Sequence, residues 1–218
     1  MNVYPSLMIV PQADLQKEVD ALAPYCAGFH LDIMDGVFVP NMFWYDAQQV
    51  NKIVKDVQHR VWIHLMVENT LSFYDQLFLP AESLVSFHIE SCVHIFDFIK
   101  IIKEKNGKAS IAIRPKTPVA DVIPFLNVVD QVLIMSVDPG FSGQPFLEDT
   151  FDKISELAQY RQDHAMHFAI GVDGGVNKNN IGRLVQLGVN DCALASGIFN
   201  EKDHVLALQD LQKIVELR

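Results

Sequence analysis

Short apolar runs alternate with longer amphipathic stretches along the whole of this sequence, and no other feature limits its possible folds so sharply. The runs that read as strands are Tyr4 to Ile9, Gly28 to Met34, Val61 to Met66, Leu84 to His88, Ala109 to Ile113, Gln131 to Ser136, Phe168 to Asp173 and Asp191 to Ala195. Between them, helical patterns cover residues 12–24, 46–56, 70–79, 93–105, 118–126, 148–163, 178–187 and 201–217, several opened by a capping residue or a proline. Such alternation requires parallel strands joined by right-handed crossovers, which leaves an open doubly wound sheet or a closed barrel. Eight strands favour the barrel. With no Pro/Gly/Ser-rich linker and no charge block to divide it, the chain is expected to form a single (β/α)8 barrel domain of the α/β class over residues 1–218.

Barrel enzymes carry their reactive groups at the carboxyl ends of the strands. The second run ends in Phe29-His30-Leu31-Asp32-Ile33-Met34-Asp35-Gly36. Side chains alternate along a strand, so His30, Asp32 and Met34 share one face and Phe29, Leu31 and Ile33 the other. The apolar set can pack on the surrounding helices, which turns an imidazole and a carboxylate toward the barrel mouth. The third run repeats the device in His64-Leu65-Met66, and the seventh finishes in Val172-Asp173-Gly174-Gly175. A lone inward His or Asp is a structural hydrogen-bonding group about as often as a functional one. Together, His30, Asp32, His64 and Asp173 make a mixed nitrogen and oxygen ligand set suited to one divalent ion, Zn²⁺, Fe²⁺, Mn²⁺ or Co²⁺. Crowded buried carboxylates without a cation or protons would cost on the order of several kcal/mol.

Two further elements suit a phosphate. After the sixth run, Gly140, Phe141, Ser142 and Gly143 allow successive N–H groups to point into one concavity. Gly174 and Gly175, then Ala195 and Ser196, follow the seventh and eighth runs, where barrels bind phosphate on backbone N–H groups and a short helix N-terminus. Each piece alone reads as an ordinary turn; their joint position is the informative part. A net charge of −10 repels nucleic acid and anionic membrane, so a phosphate has to be caught locally, and neutral N–H groups do that. Met34, Met66 and Met135 fall at strand ends, by default as core filler, or functionally as soft apolar walls that exclude water from a charged intermediate. Cys26, Cys92 and Cys192 are widely spaced and form no CxxC pair. With no leader pattern and no apolar run of membrane-spanning length, they read as reduced thiols of a cytoplasmic protein.

With these residues assembled, the sequence resembles the ribulose-phosphate 3-epimerase family along essentially its whole length. The matching stretches are Pro5-Ser6-Leu7, His30 to Gly36 continuing to Phe38-Val39-Pro40-Asn41, His64-Leu65-Met66, His88-Ile89-Glu90, Pro115 with Thr117-Pro118, Val137 to Gln144, and Val172-Asp173-Gly174-Gly175. The resemblance implies that His30, Asp32, His64 and Asp173 bind one metal ion per subunit, commonly Zn²⁺ or Fe²⁺. It also implies that Asp32 and Asp173 are the acid/base pair, that Ser6 touches the substrate, and that the enzyme is a homo-oligomer, a dimer or hexamer. The implied reaction interconverts D-ribulose 5-phosphate and D-xylulose 5-phosphate of the pentose phosphate pathway, by two-base proton transfer through a metal-stabilised enediolate. Inverting a carbon beside a ketone removes a proton from one face and returns one to the other, which calls for two groups on opposite sides.

Three positions depart from the family pattern. Met42-Phe43-Trp44-Tyr45-Asp46 is bulky where the family has a Gly-Pro segment, which predicts a narrower mouth or a different oligomer contact; Arg114 stands before Pro115 in place of Asn and is expected either to add a cation near the strand exit or to pair with a surface carboxylate; Ala195 replaces a glycine at the phosphate site. Two other functions fit the sequence: epimerisation of D-allulose 6-phosphate, for which Ser6-Leu7-Met8 and Val137-Asp138-Pro139 speak, and a non-catalytic barrel that binds a sugar phosphate. Barrel decarboxylases and aldolases with Asp-x-Lys-x-x-Asp do not fit, because Asp32-Ile33-Met34-Asp35 lacks the lysine.

Overall fold

A computed structural model describes residues 1–217. Its sheet contains β1 (Asn2–Pro5), β2 (Phe29–Asp35), β3 (Met42–Phe43), β4 (Val61–Met66), β5 (Leu84–His88), β6 (Lys108–Ile113), β7 (Gln131–Met135), β8 (Ala169–Asp173) and β9 (Asp191–Leu194). The order is β1-β9-β8-β7-β6-β5-β4-β2-β3, and every pair is parallel except the short β2–β3 hairpin. The first and last long strands meet where Ser6 bridges His30 in parallel register and the Ala27 N–H donates to the Val3 carbonyl at 3.2 Å. The eight parallel strands thus close into the expected barrel.

The alternation read from the sequence decides what fills it. Outward residues of β2 and β4, such as Leu31, Ile33, Ile63 and Leu65, join the main apolar layer under the helices. Inward residues stack in layers, as barrel interiors do. At the amino end is a polar layer: Ser110 donates to Gln131, and Gln131 and Asn2 donate to the Asp191 carboxylate, at 2.7–2.8 Å. Above it lies an apolar plug of Tyr4, Trp62, Leu84, Leu133 and Met135. Trp62 is fully buried, donates its indole N–H to Ser86 Oγ at 2.7 Å, and meets His30 edge-on with ring centres 4.8 Å apart. The next inward layer is therefore held from below by a rigid aromatic floor.

The helices are α1 (Leu15–Leu22), α2 (Ala47–Val57), α3 (Thr70–Tyr74), α4 (Ile95–Glu104), α5 (Thr150–Asp163), α6 (Ile181–Gln186), α7 (Ser196–Phe199) and α8 (His204–Glu216). One expected helix is absent. Residues 118–126 form two 3₁₀ turns, Val119–Asp121 and Ile123–Phe125, because Pro118 and Pro124 deprive the segment of N–H donors and Pro124 restricts the residue before it. The first expected strand, Tyr4 to Ile9, is also shorter: extended chain ends at Pro5 and Leu7–Ile9 is a 3₁₀ turn. The β3 hairpin has no counterpart in the sequence reading, being too short for a periodic signal, whereas α7 is the short helix expected after the eighth strand.

Candidate active site

The strand ends bring the four expected ligands together. Asp32 on β2 is in register with His64 on β4, and His30 lies one inward position below Asp32. Asp173 arrives from β8, across the barrel mouth. One donor atom from each of His30, Asp32, His64 and Asp173 lies within 4.8 Å of all the others. His64 Nδ1 stands between the two acids, 3.2 Å from Asp32 Oδ1 and 3.3 Å from Asp173 Oδ2. Both histidines are fully buried. Ser6, at the exit of β1, donates its hydroxyl to Asp32 Oδ2 at 2.8 Å and so fixes that carboxylate's rotation.

A divalent cation fits this box. Neither buried ring nitrogen of His30 makes a well-formed hydrogen bond, Nδ1 lying 3.3 Å from Asp32 Oδ2 and Nε2 4.0 Å from Asp173 Oδ2, and a buried polar group left so costs on the order of 1–3 kcal/mol unless something else engages it. Ions of the Zn²⁺ type bind His nitrogen and carboxylate oxygen at about 2.0–2.2 Å, which spreads their donors over at most about 4.4 Å, so a few tenths of an ångström of closure would suffice. The electrostatics agree. Burial pushes the Asp32 carboxyl up, but His30 and His64 more than reverse this and hold it below the usual carboxylate range. Burial pulls His64 down, but hydrogen bonds to Asp173 and Asp32 outweigh it and raise the imidazole to about 9. Without an ion, a proton thus occupies the position between the acids that a cation would take.

Above the box is a cavity lined by Ser6, Asp32, Met34, Met66, Met135, Gly140, Phe141, Ser142, Gly143, Asp173, Gly174, Gly175, Ala195 and Ser196. The expected substrate-side and phosphate-side residues therefore share one wall system, while His30 and His64 lie beneath its floor. Met34 and Met66 face each other across the β2–β4 register and pack with Val39. Gly174 and Gly175 adopt φ of +114° and +63°. A Cβ on Gly174 would lie 2.4 Å from Val137 Cγ2, and one on Gly175 would lie 2.6 Å from the Phe146 backbone nitrogen. Ser136, fully buried, donates its backbone N–H and its hydroxyl to the Asp173 carbonyl, which ties β7 to the turn that presents Asp173. Ser196 opens α7, so its N–H and that of Gly197 have no acceptor within the helix and remain available to an anion.

The three departures resolve as follows. Ala195 has φ −101° and ψ −82°; its φ is negative, so the methyl group is carried without left-handed strain. Arg114 pairs with no carboxylate among the described residues. Its guanidinium stacks 4.1 Å from the Phe38 ring centre and donates to the Phe38 carbonyl at 2.8 Å, tying the loop after β2 to the exit of β6. The aromatic segment is folded in: Phe43 packs beside the Met34–Met66 cluster, Tyr45 stacks on Phe73 at 5.0 Å, and Asp46 caps α2.

Sequence reasoning assigned no role to several residues that touch the site. Met8, Val137, Pro139, Gln144 and Val176 also line the cavity. Met8 enters the sequence reading only within Ser6-Leu7-Met8, without a role; it belongs to the 3₁₀ turn Leu7–Ile9 that follows Ser6 and lies at the mouth. His88 and Glu90 lie behind His64: His64 Nε2 is 3.0 Å from His88 Nε2, and His88 Nδ1 is 3.0 Å from Glu90 Oε2. Burial holds His88 down at about 4, only partly offset by Glu90. Burial raises the Glu90 carboxyl, and the opposing bond to His88 brings it net down to about 2. The available signal was parity, since Ser86 and His88 occupy the inward positions of β5 next to His64.

A family model for the ribulose-phosphate 3 epimerase family matches residues 2–199. The chain belongs to this family. It is accordingly an enzyme of the epimerase class. The ribulose-phosphate 3-epimerase of Helicobacter pylori is 35% identical over 216 residues, covering 98% of each chain. The chloroplastic ribulose-5-phosphate-3-epimerase of Arabidopsis thaliana is 32% identical over 218 residues, covering 96% of this chain and 75% of the relative. Among solved structures, 3-hexulose-6-phosphate synthase from Salmonella typhimurium superposes with a TM-score of 0.71 at 12% identity, covering 100% and 99% of the two chains, a likeness of fold. No helix among the described residues is long and apolar enough to cross a membrane.

Proposed function

We propose that this epimerase inverts C3 of a ketose phosphate, D-ribulose 5-phosphate to D-xylulose 5-phosphate, with Asp32 and Asp173 as its two acid/base groups. The observation that carries the reading is the pair of carboxylates on either side of His64 Nδ1, at the base of a cavity whose far wall is glycine backbone. His30, Asp32, His64 and Asp173 would hold one divalent ion, Zn²⁺ or Fe²⁺ foremost. Such an ion supplies electrostatic stabilisation of the negative charge that develops on the C2 and C3 oxygens when the C3 proton leaves. One aspartate takes that proton and the other returns one to the opposite face. Ser6 orients Asp32; Met34, Met66 and Met135 keep water from the reacting carbon. The N–H groups of Gly174, Gly175, Ser196 and the 140–143 loop receive the phosphate, fixing the distance from phosphate to C3. The expected homo-oligomer would use the exposed apolar side chains Val37, Met42, Phe78, Val93 and Phe96, which follow the neighbouring strands β2, β4 and β5.

The test is turnover of D-ribulose 5-phosphate and of D-allulose 6-phosphate in heavy water, followed by NMR with Zn²⁺, Fe²⁺ and Mn²⁺ supplied in turn. Faster turnover of the pentulose, with one deuterium at C3 of the product, supports the reading. Preference for the hexulose would reassign the substrate, and Met8 and Pro139 in the cavity wall give that outcome its motive. A metal-loaded protein that exchanges no C3 proton would point to the non-catalytic binder.

Two further outcomes are expected. Gly175→Ala forces a side chain into φ +63° and against the Phe146 backbone, at a cost of about 3 kcal/mol or more, and raises KM for the phosphorylated sugar more than tenfold while leaving metal affinity within a few-fold. Metal binding should release a proton. Because the metal-free His64 holds its proton up to about pH 9, apparent affinity rises about tenfold per pH unit toward pH 9 and flattens above it, as competitive chelator titration at stepped pH would record.

A further inference from the structure

The four-residue box does not end at its ligands. His64 Nε2 and His88 Nε2 are 3.0 Å apart, and both rings are fully buried. Two ring nitrogens at that separation share one proton. The other nitrogen of His88, Nδ1, lies 3.0 Å from Glu90 Oε2. An ionised carboxylate only accepts, so Nδ1 of His88 carries a proton, and in the neutral ring Nε2 is then a lone pair. The shared proton therefore sits on His64 Nε2. Once a cation takes the place of the proton between Asp32 and Asp173, His64 Nδ1, the nitrogen standing between them, is the lone pair aimed at it.

We propose that His88 and Glu90 are positioning residues that fix His64 in its Nε2–H tautomer and so make its Nδ1 a metal ligand. This rests on the reading of the box as a cation site. The relay is itself anchored. Glu90 Oε1 accepts the Arg114 backbone N–H at 2.9 Å and the Thr117 hydroxyl, which leaves Oε2 for His88. Lys153 donates to the carbonyls of Arg114, Pro115 and Thr117 at 3.0, 2.7 and 2.6 Å, holding the loop from which those two donors come. Phe38 packs against His88 with ring centres 4.9 Å apart, held there by the Arg114 guanidinium. The ligand on β4 is thus oriented by groups on β5 and by the loop after β6. Orienting partners of this type commonly change metal affinity by about 10–100-fold when lost.

The experiment has two arms. In the first, ¹⁵N-histidine NMR of the Zn²⁺-loaded wild-type protein should find the proton of His64 on Nε2 and that of His88 on Nδ1; a proton on His88 Nε2 overturns the proposal without any variant having to fold. In the second, Zn²⁺ titrations compare wild type, His88→Leu and His88→Gln. Leucine fills the space without an acceptor and should weaken Zn²⁺ binding about 10–100-fold, whereas glutamine, whose side-chain carbonyl can accept the same proton, should restore most of the affinity. Equal affinity for wild type and His88→Leu overturns the relay alone. Failure of wild type to bind Zn²⁺ at all overturns the cation site, and the relay with it.

Discussion

Asp32→Asn and Asp173→Asn are each expected to lower turnover at least about 10⁴-fold with the barrel intact. Each aspartate serves two purposes, as a cation ligand and as the acid/base group for one face of the sugar, and a general acid/base group alone is worth about 10²–10⁴-fold. Asparagine keeps the shape and one acceptor oxygen but cannot take up a proton. The Ser6 hydroxyl can still reach the amide oxygen at position 32, and Ser136 still holds the backbone at 173, so folding should survive both changes. A variant retaining one aspartate should exchange the C3 proton of one epimer with heavy water slowly and that of the other not at all, with the two variants affecting opposite epimers. Stopped assays for product, NMR for exchange and circular dichroism for the fold make the comparison. Near-wild-type turnover by either variant would refute the two-base assignment.

Removing the metal should have an effect of similar size. A chelator-treated protein is expected to lose about 10³-fold or more in turnover, because the charge developing on the substrate oxygens then meets two aspartates with a single proton between them in place of a divalent cation. Activity should return on adding Zn²⁺, Fe²⁺, Mn²⁺ or Co²⁺. Stability should move with it: an ion bound only by the folded chain adds about 4 kcal/mol at a thousandfold excess over its dissociation constant, which differential scanning calorimetry reads as a higher Tm. The buried, poorly bonded nitrogens of His30 predict that the metal-free form is destabilised by part of that difference. Full activity after complete stripping would contradict this part of the account.

How far the sequence carried depended on the length scale of each signal. Eight apolar runs spaced by amphipathic stretches were enough for the barrel, because strand parity and helix period act over many residues. Parity along Phe29 to Met34 alone separated the packing face from the chemical face, while the register that sets Asp32 against His64 came only with the structure. The failures were local. Residues 118–126 looked helical by hydrophobic spacing, yet two prolines broke the hydrogen-bond ladder. Residues 7–9 looked extended and instead turned. His88 was quoted as part of a motif without a role, because its importance arises from a contact with His64 twenty-four positions away in the chain. Arg114 does stand as a cation at the strand exit, but its guanidinium meets no carboxylate among the described residues: it clasps Phe38, a partner no local pattern indicates.

Most direct of all would be anomalous diffraction at the zinc edge from crystals of the Zn²⁺-loaded protein. One peak should appear at the strand ends, within about 2.0–2.2 Å of a nitrogen of His30, Nδ1 of His64 and one oxygen each of Asp32 and Asp173. A peak elsewhere, or the two carboxylates swung to the same side of the cavity, would contradict the account.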